Sequence, residues 1–138
     1  MKIKAVLKEK VKGRARGCCE YCRSQEEFSP DPFTVEHIIP SSKGGQDKSD
    51  NLAYSCQGCN NKKYNHTESK DWITGEVTRL YQPRQDIWLE HFQWNEDFSE
   101  IIGITPVGRA TVQRLDLNRN GVRNLRIALY LIALHPPQ

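Results

Sequence analysis

Two Cys-x-x-Cys pairs, Cys19/Cys22 and Cys56/Cys59, constrain this chain of 138 residues more than any other feature. The x-x spacing lets the backbone amides of a tight turn face both sulfurs, and four thiolates so arranged favour a closed, tetrahedral Zn²⁺ site over iron. In a reducing compartment such pairs bind metal rather than close disulfides, and five cysteines is an odd number. If the two pairs meet, residues 23–55 are folded back between them as an insertion. Cys18 stands next to Cys19 and makes the ligand choice ambiguous from composition alone. The usual spacing selects Cys19 with Cys22 and leaves Cys18 as a small buried residue. A site closed by four protein ligands holds no place for a substrate, so any chemistry belongs to other residues.

Charge is unevenly spread. The net charge is +3, yet residues 1–16 hold seven Lys/Arg against one Glu, and residues 106–138 hold five Arg against one Asp, leaving an acidic middle. Basic flanks suit a polyanion partner, and they suit equally a solvated helix surface. With 27% charged and 37% apolar residues the chain has a globular composition. Lys2, Lys4 and Lys8 interrupt any leader-like apolar run. Ile127 to Leu134, the longest apolar stretch, is far short of the ~20 residues that cross a bilayer. A cytoplasmic protein without a membrane segment is expected, and its oligomeric state is not legible.

Ile3, Leu7 and Val11 recur every four residues and predict a helix over 4–15, weakened by Gly13 and stopped by Gly17. Residues 24–32 read as a loop. Phe33 to Pro40 is rich in β-branched and aromatic residues and predicts a strand, with Phe33, Val35 and His37 on one face and Thr34, Glu36 and Ile38 on the other. Gly44-Gly45 makes 41–49 a loop, Leu52–Ser55 a second strand, and 60–70 a polar helix. Beyond Asp71 the expected elements are a hairpin around Gly75, a helix over 86–92, a strand over 101–104, a helix from the Thr105-Pro106 cap to Leu115, a turn at 118–120 and a helix over 124–134.

Between the cysteine pairs lie Glu36-His37-Ile38-Ile39-Pro40 and Asp50-Asn51-Leu52, followed by Cys56-x-x-Cys59-Asn60-x-x-Lys63. In order and spacing this resembles the HNH endonucleases, whose pattern is an acid and a His before I-x-P, an Asn-Leu, and C-x-x-C-[HN]-x-x-K. The resemblance implies a ββα-metal active site. His37 would be the general base that activates a water, and Glu36 and Asn60 would hold one catalytic Mg²⁺ or Mn²⁺. Asn51 would fix the loop opposite His37 and orient its imidazole. Double-stranded DNA would be the substrate, cut to 5′-phosphate and 3′-hydroxyl ends. Asn60 stands where His is commonest, giving an H-N-N variant, and Glu36 stands where Asp is frequent. The chemistry is coherent on its own terms. Phosphodiester hydrolysis needs an activated water, which a histidine (ordinary pKa ~6.5) can supply near neutrality. It also needs a hard cation against the developing negative charge, and carboxylate and amide oxygens suit such a cation. Because alternation points Glu36 and His37 oppositely, the strand must twist or end there for both to reach one phosphate.

Arg14, Arg16, Lys62 and Lys63 are the candidate phosphate contacts. His91 sits in the aromatic stripe Trp88-x-x-His91-Phe92 and reads as packing, His66 as a surface residue. Residues 71–138 resemble an extension found on bacterial, especially cyanobacterial, HNH proteins, through Pro83-Arg84-Gln85-Asp86-x-Trp88, His91-Phe92-x-Trp94 and Gly103-x-Thr105-Pro106-x-Gly108-Arg109. Thr105 to Arg109 reads as a helix cap rather than a phosphate site. The expectation is therefore an α+β protein. Residues 1–70 would form a zinc-stabilised ββα core with an N-terminal helix, and 71–138 a mainly helical extension packed on it. The alternative is a zinc module that binds nucleic acid without cutting it; a module that binds only protein stands behind that.

Overall fold

Val11 is buried and Leu7 is packed beside it on one face of α1 (Ala5–Arg14), and Ile3, just before the helix, is buried in the same cluster. The computed structural model describes residues 3–137. The helix closes with the Gly17 N–H donating to Lys12 O and with Arg16 and Gly17 both in left-handed conformation, φ 55° and 70°.

β1 (Thr34–His37) and β2 (Leu52–Ser55) pair antiparallel, with Glu36 opposite Ala53 and His37 opposite Leu52. β2 is buried along its whole length. The predicted strand over 33–40 is shorter because the N–H and C=O of Ile39 go to the side chain of Asn51 instead of to a neighbouring strand. α2 (Gln57–Lys63) follows directly, its first turn capped by Cys56 Sγ, which accepts from the Cys59 N–H. These three elements form a ββα unit.

The helix expected over 60–70 is a correction. α2 stops at Lys63, Tyr64 takes φ 48°, and residues 68–70 are β3 (Glu68–Lys70), paired with β4 (Val77–Arg79). Side-chain polarity could not reveal this pairing, which forms with residues beyond the turn at Gly75. The expected division between 70 and 71 falls inside this hairpin. A single hydrophobic cluster runs from Ile3 through Tyr21, Leu52, Tyr81, Trp88 and Phe92 to Val122.

The helix expected over 86–92 is the single turn α3 (Trp88–His91). Phe92 instead opens β5 (Phe92–Trp94), which pairs with β6 (Ile101–Gly103), and its ring packs 5.1 Å from Trp88 and 5.2 Å from Tyr81. α4 (Pro106–Leu115) starts at the predicted cap, where Thr105 Oγ1 accepts from the Gly108 N–H at 3.0 Å. α5 runs over Asn120–Leu131, four residues earlier at its start than expected. The α+β class holds. No helix among the described residues is long and apolar enough to cross a membrane.

Candidate active site and metal centre

Cys19, Cys22, Cys56 and Cys59 are buried, and their sulfurs lie within 4.8 Å of one another. Cys22 Sγ and Cys56 Sγ are 3.7 Å apart, close to the ~3.8 Å edge of a tetrahedron with Zn–S bonds of ~2.3 Å. The Cys22 N–H faces Cys19 Sγ at 3.5 Å and the Cys59 N–H faces Cys56 Sγ at 3.4 Å, as the x-x spacing requires. The four thiols are positioned to form a zinc site. Cys18 lies outside the cluster, beside Arg16 O at 3.7 Å.

Arg119, from the turn between α4 and α5, reaches this centre: its guanidinium is 3.3 Å from Cys56 Sγ and 3.6 Å from Cys59 Sγ. Burial works against its charge, but the sulfurs of Cys59, Cys22 and Cys56 outweigh burial and hold its pKa above the ordinary value. A Cβ at Gly58 would meet the end of the Arg119 guanidinium at 2.5 Å.

Glu36 and Lys63 form the floor of a second site. Glu36 is 7% exposed and Lys63 is 2% exposed. The Lys63 ammonium donates to Glu36 Oε2 at 3.2 Å, His37 O at 3.3 Å and Ile38 O at 2.8 Å. The Tyr21 hydroxyl donates to Glu36 Oε1. Burial pushes the Glu36 carboxyl up, more than Lys63 and Tyr21 pull it down. Lys63, expected as a phosphate contact, is thus an interior clamp between α2 and the end of β1. A buried ammonium with three oxygen partners has no reach to solvent.

β1 ends at His37, so Glu36 and His37 border one shallow cleft of about 250 Å³ together with Pro40, Ser41, Asn60 and Tyr64. The Asn60 amide makes no hydrogen bond among the described residues, so one buried carboxylate and one uncommitted amide face the same space. That oxygen donor set fits a hard divalent ion.

The imidazole of His37 is held by Asp47, whose Oδ1 lies 2.5 Å from Nε2. Asn51 holds the loop rather than the ring. Its Oδ1 accepts from the Ile39 N–H at 2.8 Å, and its Nδ2 donates to Ile39 O and Gln46 O, both at 3.0 Å. Gln46 precedes Asp47, so Asn51 positions the residue that positions the imidazole. A Cβ at Gly45 would meet Ile39 O at 1.7 Å, which makes glycine obligatory beneath this loop.

Arg14 is also turned inward, donating to Ser49 Oγ at 2.6 Å, Ser49 O at 2.7 Å and Leu52 O at 2.5 Å. Arg16 and Lys62 stay at the surface, Lys62 3.7 Å from Asp116. The Thr105–Arg109 segment is a cap, and the Arg109 guanidinium is bound to Asp71. His91 packs as expected, between Tyr81 and Thr105. Sequence reasoning missed Asp47, Tyr21, Tyr64 and Arg119. The Gly-Gly turn just before Asp47 was the one available signal, since it aims the following residues back at the strand.

Residues 19–66 match the family model described as HNH endonuclease, and the four cysteines of this segment are placed as a zinc knuckle pair. No curated protein and no solved structure was found to match the chain.

Proposed function

We propose that the chain, on the premise that its residues 19–66 are an HNH endonuclease module, hydrolyses DNA phosphodiester bonds in a metal-dependent reaction. The observation that carries this reading is the convergence of Glu36, His37 and Asn60 on one cleft at the end of β1. With Asp47 accepting from Nε2, the His37 lone pair lies on Nδ1, and that nitrogen is the base. It takes a proton from water as the water oxygen bonds to phosphorus. The P–O3′ bond breaks, the 3′ oxygen takes a proton from solvent, and the products carry 5′-phosphate and 3′-hydroxyl ends. Mg²⁺ or Mn²⁺ held by Glu36 and Asn60 would neutralise the charge that develops on the phosphate oxygens. The four cysteines would hold Zn²⁺, which would tie the first knuckle to α2, the helix that carries Asn60. Double-stranded DNA is the substrate. Arg16 and Lys62 are the surface cations available to its backbone, with Lys8 and Lys12 along the wider groove that His37 also borders.

A second reading, a zinc-stabilised module that binds nucleic acid without cutting it, draws on one observation: both Glu36 oxygens already accept hydrogen bonds, from Tyr21 and Lys63. Cleavage of supercoiled plasmid with Mg²⁺ or Mn²⁺, with the His37→Ala protein beside it, separates the two. Cutting by the native chain alone establishes the nuclease and its base. Salt-dependent DNA binding with no cutting by either protein establishes the binding module.

A further inference from the structure

A second concavity lies away from the Glu36–His37 cleft. It has a volume of about 440 Å³ and is enclosed by the end of α1, the first cysteine knuckle, the α3 turn and the Pro136-Pro137 segment. That volume is within the ~300–1,000 Å³ of small-ligand sites and far too small for a duplex. Its lining combines two arginines, Arg16 and Arg23, with the apolar Trp88, Leu89, Trp94 and the two prolines.

Two of the charged groups in this cleft have no hydrogen-bonded partner. Glu20 also lines it, but its carboxylate is spent on the Arg84 guanidinium and on the Tyr54 N–H at 2.8 Å. Arg14 lines it too and is spent on Ser49 and Leu52, except for a buried Nε with no partner. Arg16 and Arg23 make no side-chain hydrogen bond and no ion pair among the described residues. Arg23 lies over the Trp88 ring, 5.1 Å from its centroid.

The backbone beneath both arginines supplies a separate argument. Arg16 ends α1 at φ 55° and Arg23 follows the second knuckle cysteine at φ 65°. These are left-handed positions, where glycine or asparagine is the relaxed choice and a long side chain is strained. Two such positions, on either side of the same knuckle, both carry arginine, and both arginines face the same cleft. Of the six non-glycine residues at positive φ among the described residues, these two line this cleft, and strain of this kind gathers where a side chain is needed for binding.

We infer that this cleft binds one unpaired nucleotide of a DNA strand, its phosphate between Arg16 and Arg23 and its base against Leu89, Trp94 and the prolines. Guanidinium groups match phosphate oxygens in pairs, and an apolar wall with aromatic members accepts any base by its face or edge without reading its sequence. The inference rests on the nuclease reading for its biological sense: the preferred substrate is a duplex that carries a single-stranded tail or branch. It does not rest on that reading for its test, because binding is measured without cleavage.

The test compares a blunt duplex with the same duplex carrying an unpaired thymidine tail, by fluorescence anisotropy at low salt without Mg²⁺. The native chain and the His37→Ala chain are expected to bind the tailed duplex roughly tenfold more tightly than the blunt one. The Arg16→Asn/Arg23→Asn double variant is expected to lose that preference while melting at the native temperature or above, since asparagine relaxes both backbone positions. A preference that survives in the double variant overturns the inference. So does a native chain that binds both duplexes alike, and so does a large fall in the variant's melting temperature, which would make the arginines structural. Thymidine monophosphate is the competitor. Competition far weaker than that of the tailed duplex supports a strand site, and equal competition overturns it in favour of a free-nucleotide pocket. Loss of plasmid cleavage in His37→Ala is read separately and bears only on the nuclease.

Discussion

The ammonium of Lys63 and the carboxylate of Glu36 meet 3.2 Å apart with almost no exposure to solvent, and the same ammonium closes on the carbonyls of His37 and Ile38. One residue at the end of α2 therefore sets both the carboxylate of the candidate metal site and the backbone that carries His37, the proposed base. Removing the cation leaves a buried carboxylate with only Tyr21 and frees two carbonyls, so Lys63→Met should cost about 3–5 kcal/mol of stability. Urea denaturation measures it. The Lys63→Met/Glu36→Gln pair should lose distinctly less than the sum of the single losses, because the second change removes the stranded charge. Additive losses would mean that the two groups do not interact.

Asp47 holds the imidazole of His37 at 2.5 Å without touching the cleft that Glu36 and Asn60 share. Asp47→Asn keeps the size of the side chain but can present an N–H to the ring and turn the lone pair to the wrong nitrogen. Plasmid cleavage should then fall in kcat, by at most the ~10²–10⁴ that a general base contributes, while KM for DNA stays near native. A fall in affinity alone would place Asp47 in DNA binding instead.

Local chemistry was legible in the sequence, and geometry between distant elements was not. The knuckle cysteines and the Thr105 cap are determined by residues within three positions of one another, and both form as read. Lys63 was legible as a motif position but was read as a phosphate contact, because its burial depends on the closure of α2 over β1. Tyr64 looked helical because the pairing that pulls 68–70 into a strand comes from residues 77–79. Phe92 fits a helical stripe with Trp88 equally well as a strand start, and its pairing with Gly103 decides between them. Arg119 was legible in the basic end and in the Leu117-Asn118-Arg119 segment that resembles the bacterial extension, but nothing local ties it to thiols sixty residues away.

That contact has a measurable consequence through Gly58. A Cβ at position 58 would displace the end of the Arg119 side chain, which is flexible, rather than backbone. Within α2, alanine is otherwise favoured over glycine by roughly 0.5–1 kcal/mol. Gly58→Ala should therefore leave the melting temperature near native while speeding the release of zinc to a chelator, and Arg119→Ala should speed it likewise. Zinc content after timed exposure to the chelator reads the effect. Unchanged release in both variants would show that the guanidinium contributes nothing to metal retention.

Asp71 ties the β3–β4 turn to α4. Its carboxylate accepts from Arg109 Nε and Nη2, both at 2.9 Å, from the Thr74 hydroxyl at 2.9 Å and from the Ile73 N–H at 3.2 Å. The Arg109 hydrogen bonds, foremost, hold its carboxyl well below the usual carboxylate range. A carboxyl depressed in the folded state stabilises fully above its unfolded pKa of about 3.9 and loses that contribution as pH falls toward the folded value. Asp71→Asn should therefore melt below the native protein by a constant margin between about pH 5 and pH 7, and the margin should narrow below about pH 4 as the native carboxylate takes up a proton. Melting curves of both proteins across that range measure it. A margin that stays constant down to about pH 3 would assign the loss to the shape of the turn rather than to the ion pair with Arg109.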